Sequence, residues 1–182
     1  MMHRASVRAL ALAALLLSPT SSFAQGGKPA PAPAPPPVHD SAHAAHAAHA
    51  AMQQRGAEVM GVDQATSVHV FDALPNGGVI ELQRDADDSA GMRTIRAHLR
   101  GIAAAFSTGD FGAPTSIHMT SVPGARVMAD RRNLIKYDYR DLPRGGALRI
   151  STADGSARKA IWDFIAYQRN EHMAGELRRA EP

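Results

Sequence analysis

The chain writes one pattern twice, and that duplication constrains its fold more than any other feature. SVHVFDALPNGGVIELQRD, residues 67–85, is matched by LIKYDYRDLPRGGALRISTAD, residues 134–154. Each copy reads as a strand, an LPxGG turn and a returning strand, with an amphipathic helical pattern after it. In the second copy Tyr137 and Tyr139 alternate with Lys136, Asp138 and Arg140, so one face is aromatic and the other charged. The first copy carries apolar residues on both faces. An offset of 68 positions aligns His69 with Tyr137, Phe71 with Tyr139 and Leu82 with Ile150, which assigns His69 and Phe71 to the inward face. Ile80, Leu82, Leu148 and Ile150 on the returning strands share that face. The adjacent glycines of each turn are expected to supply the positive φ angles of a tight hairpin connection.

Each hairpin leads into a helix. In the first, Met92, Ile95, Leu99, Ile102 and Phe106 recur at three- and four-residue steps, and His98 lies at the edge of that stripe. In the second, Ala157, Ile161, Phe164 and Ile165 form the stripe, which continues geometrically through Gln168 and His172. Two polar residues thus occupy a line that faces the sheet. Asp87 and Asp88 precede the first helix, where negative charge complements its N-terminal dipole. Residues 110–133 hold Gly112, Pro114, Pro123 and Gly124 and read as a connector, with a short strand over TSIHM and a helical turn around Met128. The expected class is α+β: a four-stranded antiparallel sheet, five-stranded if TSIHM joins it, with two helices on one face.

The remaining organisation follows from composition. Residues 1–24 have a basic start, an apolar run of nine residues from Ala9 to Leu17 and a small-residue close, the pattern of a secretory signal peptide. That run is about half of what a spanning helix needs. Residues 25–42 are a Pro/Ala-rich linker expected to be disordered, and residues 43–60 an Ala/His-rich helical lead-in. Residues 61–176 form a single domain with repeat units about 67–106 and 134–173, and residues 177–182 a tail. The chain has no cysteine, so disulfides and thiolate ligands are excluded. Loss of Arg4 and Arg8 with the signal takes the 20 basic residues to 18 against 17 acidic ones, which leaves no basic excess for nucleic acid. A periplasmic or secreted location is expected, with no stable membrane insertion after signal removal.

Four histidines carry the chemistry open to the folded part: His69, His98, His118 and His172. His69 and, at a helix offset of 66, His98 stand where the other copy has Tyr137 and Phe164, so both are expected to be partly buried. His118 sits between Ile117 and Met119, and His172 extends an apolar stripe. Neutral imidazoles ligate copper or zinc, and Met119, Met128 or Met173 could add a thioether that favours Cu(I). His43, His46 and His49, at three-residue spacing, form an auxiliary chelating tract. The competing reading makes each histidine a core-edge substitute for an aromatic, in a module that binds a protein or a small molecule. Gln168 could orient a histidine, and Trp162 reads as packing. There is no P-loop, no GxSxG elbow and no HExxH, so a hydrolase with Asp110 or Glu171 as base ranks last.

RGAEVMGVDQ, His69 with Phe71, GGVIEL, IRAHL, GDFGAP, Ile117-His118, VPG and the closing FIAYQRNEH form a series that resembles a family of small exported bacterial proteins of uncharacterised function. Some members of it are labelled aspartate carbamoyltransferase. This chain has neither the STRT-type phosphate loop nor the two-domain length of such an enzyme. What the resemblance implies is export, small size and the histidine-bearing motifs.

Overall fold

The computed structural model describes the backbone of residues 38–174 and the side chains of residues 43–174. Residues 1–37, on which the expected signal peptide and most of the expected linker fall, and residues 175–182, with the expected tail, lie outside the described residues. The elements run α1 (Val38–Met60), a single 3-10 turn (Gln64–Thr66), β1 (Ser67–Leu74), β2 (Gly77–Arg84), α2 (Ser89–Thr108), α3 (Gly112–His118), α4 (Ala125–Asp130), a second 3-10 turn (Arg132–Leu134), β3 (Ile135–Leu142), β4 (Gly145–Thr152) and α5 (Gly155–Glu171). The fold is α+β. Four antiparallel strands in the order β1-β2-β4-β3 form one sheet, with α2 and α5 packed on it.

The returning strands of the two hairpins pair with each other at the centre, Leu82 opposite Gly146 and Gly78 opposite Ile150. Those two pairs exchange under the 68-residue offset, so the sheet has the pseudo-two-fold arrangement that a duplicated hairpin permits. Phe71, Ile80, Leu82, Leu148 and Ile150 are buried on one face, against Ile95, Leu99 and Phe106 of α2 and Ile161, Phe164 and Ile165 of α5. Each helix starts on an aspartate three residues upstream of the amide it caps: Asp88 accepts from Gly91 N and Asp154 from Ala157 N. Gly109, in the left-handed region, ends α2.

The paired glycines serve a different purpose from the one expected. Each turn is two residues, Pro75–Asn76 and Pro143–Arg144, and proline at the first position fixes a negative φ that primed turns do not allow. Of the four glycines only Gly77 has a positive φ. Close approach is the shared requirement. A Cβ on Gly77 would collide with the Ile150 carbonyl oxygen, and one on Gly145 with that of Leu82, again positions related by the repeat. Gly78 and Gly146 leave room for Ile165 and the Tyr139 ring, where a Cβ would stand 2.7 and 2.8 Å away.

TSIHM is also corrected: Thr115 to His118 are helical, in α3, Met119 follows in the left-handed region, and the sheet stays four-stranded. Asp110 accepts from Gly112 N (2.8 Å), Pro114 falls in the first turn where a missing amide costs nothing, and the Thr115 and Ser116 hydroxyls bond back to the carbonyls of Phe111 and Gly112. Short apolar runs do not distinguish strand from helix by period alone. On the edge strand β1, Trp162 Nε1–H donates to the Leu74 carbonyl (2.9 Å) and Arg169 Nε–H to that of Phe71 (2.8 Å), so α5 covers an edge that would otherwise offer bare backbone. The α1 helix packs on α3, where Arg55 Nε–H donates to the Ile117 carbonyl (2.7 Å).

Candidate functional site

Three of the four domain histidines meet. His69 projects inward from β1, two residues before Phe71. His172 follows the last residue of α5, and its ring lies against both, 5.9 Å from His69 at 29° and 5.5 Å from Phe71 at 25°. His118, the last residue of α3, meets the His172 ring edge-on at 5.2 Å and the Tyr167 ring at 5.1 Å. His98, on α2, borders the same cavity but is not part of these ring contacts. Sequence separations of 49 and 54 residues are therefore closed by the docking of α3 and the end of α5 against β1.

Each of the three rings has one buried nitrogen without a hydrogen-bond partner: His69 Nε2, His118 Nδ1 and His172 Nδ1. The other nitrogen of His118, Nε2, lies 3.0 Å from Gln168 Oε1. An amide oxygen only accepts, so in this contact Nε2–H donates to it. On the other side of the ring, Nδ1 lies 3.9 Å from Glu171 Oε2. The His118 side chain is 1% exposed and that of Glu171 46%, so the pair spans interior and surface. Burial pushes the His69 pKa down to about 4. It pushes His172 down to about 3, helped by repulsion from His118, His69 and His49. Burial also lowers His98. Near neutral pH, His69 and His172 are thus uncharged and carry a free lone pair each.

The His69, His98 and His172 rings border a cavity of about 70 Å³ between sheet, α2, α5, α1 and α3, while His118 lines a groove on the surface. Its walls are largely apolar, Phe71, Leu82, Leu99, Phe106 and Ile117 among them, with Gln64, Gln168 and the imidazoles as the polar part. An engineered cavity of about 150 Å³ takes benzene, and pockets for organic ligands run from about 300 Å³ upward. This one has space for a few waters or a single ion.

The other sequence candidates fall elsewhere. His46 and His49 line a surface groove next to His118, and His43 is exposed on α1 outside that groove. Met128, on α4, is fully buried, Met119 is exposed at a left-handed position after α3, and Met173 borders the groove. Asp110 caps α3. Among the described residues, no group of three His, Asp or Glu side chains stands in an arrangement that would hold a metal ion. Gln64 was not singled out from the sequence. It is buried over Gly56, where a Cβ would collide with its amide, and its Oε1 is unpartnered. Both residues belong to RGAEVMGVDQ, and that run was the available signal.

Compared with known proteins, the chain matches no family model, no curated protein and no solved structure. No helix among the described residues is long and apolar enough to cross a membrane.

Proposed function

We propose that this chain is an exported, non-enzymatic protein that binds one transition-metal ion, copper or zinc, through His69, His118 and His172, as a member of the small exported family its motifs resemble. One observation carries the reading: three imidazoles in contact through His172, each with a buried bare nitrogen, two of them, His69 and His172, bordering a cavity of single-ion size. Leaving a buried polar atom unpaired costs about 1–3 kcal/mol, and three on neighbouring rings form a donor set rather than scattered packing defects. The metal–nitrogen distance of about 2.0–2.1 Å, with about 1.1 Å more to each ring centre, sets two rings on one ion about 5–6 Å apart. The 5.2 and 5.9 Å separations fall in that range.

Spacing fits while orientation does not, so loading requires rotation of at least one ring into the cavity. His172 is placed for this, at the C-terminal cap of α5 with Met173 in the left-handed region behind it. Gln168 supports the reading from the second layer, because ligating histidines commonly donate their other N–H to an oxygen that fixes tautomer and ring. The basic start and short apolar run of residues 1–24 support export.

Metal analysis of the full-length product, purified without a histidine tag, followed by calorimetric titration with Cu²⁺ and Zn²⁺, tests the proposal. One equivalent is expected, weakened at least about tenfold in His118→Ala and His172→Ala variants that keep the wild-type circular dichroism. If folded variants bind as the wild type does, or if the wild type binds no stoichiometric ion, the domain is an interaction module and its cavity holds water.

A further inference from the structure

The two outer edges of the sheet differ. On β1, the Phe71 carbonyl accepts from Arg169 Nε–H (2.8 Å) and the Leu74 carbonyl from Trp162 Nε1–H (2.9 Å), both on α5. The helix offset of 66 pairs Trp162 with Arg96 of α2, which does the same for β3 by donating from Nη2 to the Leu142 carbonyl (2.7 Å). It pairs Arg169 with Ala103, which has no group to donate. The β3 counterpart of Phe71 is Tyr139, and among the described residues no hydrogen bond is made to the outer N–H or C=O of Tyr137 or Tyr139. Such an edge is a template for a further strand. We propose that β3 pairs edge to edge with β3 of a second copy of this chain, antiparallel and centred on Tyr137, which joins the two sheets into one.

The register follows from backbone direction and charge. Arg84 N–H donates to the Arg144 carbonyl and Thr152 N–H to that of Asn76, each at 2.9 Å, so even-numbered residues along β4 turn their backbone groups to β2 and odd-numbered ones to β3. Through the β3–β4 register, Lys136, Asp138 and Arg140 then bond to β4, while Tyr137 and Tyr139 point theirs outward. Outer groups meet when odd-numbered residues stand opposite odd-numbered ones, which puts the charged residues in the closer, non-hydrogen-bonded pairs. Centring on Asp138 would set Asp138 against Asp138 and Lys136 against Arg140, all like charges. Centring on Tyr139 would match Asp138 with Arg140, but Arg140 is held by Glu81 (3.1 Å), and Tyr137 would face Asp141, which Arg96, Arg100 and the Tyr139 hydroxyl already engage. Centring on Tyr137 sets Lys136 against Asp138 twice. The Lys136–Asp138 pair within each strand (2.8 Å) then closes with its mate into a ring of four alternating charges. On the inner face, Tyr137 meets Tyr137 and Ile135 meets Tyr139, aromatic and β-branched pairs that favour antiparallel sheets. Because α5 covers the β1 edge, the sheet does not extend on that side and the assembly closes at two copies.

Sedimentation velocity on the full-length, metal-free protein, over a concentration series into the submillimolar range, tests the pairing independently of the metal reading. A monomer–dimer equilibrium is expected. Asp138→Lys sets lysine against lysine in both symmetric pairs and should raise the dimer dissociation constant by about tenfold or more. The exchanged variant Lys136→Asp/Asp138→Lys restores the alternation and should return the constant to near the wild-type value. Both side chains are solvent-exposed, at 75% and 44%, so the substitutions leave the core untouched, and circular dichroism verifies the fold of each variant. A wild type that stays monomeric throughout the series overturns the proposal, and so does a dimer indifferent to Asp138→Lys. Failure of the exchanged variant to recover overturns the Tyr137 register, and assembly beyond two copies overturns the closure.

Discussion

At the scale of single residues, two buried contacts decide how the site behaves. Gln168 Oε1 accepts from the His118 ring nitrogen Nε2, and the residue sits on the apolar line of α5. A Gln168→Leu variant removes that oxygen while keeping most of the volume. It should destabilise the protein by about 1–3 kcal/mol in urea unfolding, and weaken metal binding by about tenfold or more. No change in either quantity would mean that His118 finds its orientation elsewhere. His69 and His172 set the response to acid. Above about pH 6.5 both are neutral folded and unfolded, so their contribution to stability is fully present. As pH falls below that value the unfolded chain takes up protons that the folded protein, with pKa values of about 4 and about 3, refuses. Stability is therefore lost on acidification, the His69 share down to about pH 4 and the His172 share somewhat further. For His69 alone the loss is on the order of 2–3 kcal/mol. Urea midpoints measured from about pH 7 to about pH 4.5 on metal-free protein read this directly, and a flat profile would contradict it.

At the scale of elements, the glycines give the sharpest contrast. Gly145→Ala drives a methyl group into the Leu82 carbonyl across the central strand pair, and it should cost about 2 kcal/mol or more. Gly101 lies exposed within α2 with no neighbouring atom within 4 Å of an added Cβ. Gly101→Ala should stabilise by about 0.5–1 kcal/mol through helix propensity and a less free unfolded chain. Thermal melts of the two variants, moving in opposite directions, check the assignment together. The strands and long helices were legible because Tyr137 and Tyr139 alternate with charges, and because Met92 to Phe106 keeps a helical step. The acidic start of α2 at Asp87 and Asp88 was legible in the same local way, whereas the side-chain caps of Asp88 and Asp154 and the whole of α3 were not. The run TSIHM, of which Thr115 to His118 lie in α3, carries apolar side chains at spacings that suit either state, and the Gly112 N–H bond to Asp110 and the hydroxyl back-bonds decide it.

At the scale of the whole molecule, the site is where the pseudo-symmetry fails. Tyr137 fills the position in the second copy that His69 holds in the first, and packs edge-on against Phe106 at 6.0 Å. Around His69, α1, α3 and the end of α5 close over a smaller ring and leave the cavity. A His69→Tyr variant restores the repeat and extends side-chain volume into that space. It should keep stability within about 2 kcal/mol of wild type and lose stoichiometric metal binding, as read by unfolding and titration on one sample. Retained binding would remove His69 from the ligand set. The sequence by itself determined two hairpins, two amphipathic helices, the face that each strand buries and the inward direction of His69, since these follow from periods of two and 3.6 residues and from internal alignment. Which histidines meet was decided only by tertiary structure. His69, His118 and His172 come together through the docking of three elements far apart in the chain, and the cavity beside them is what that packing leaves unfilled. No local period encodes either one.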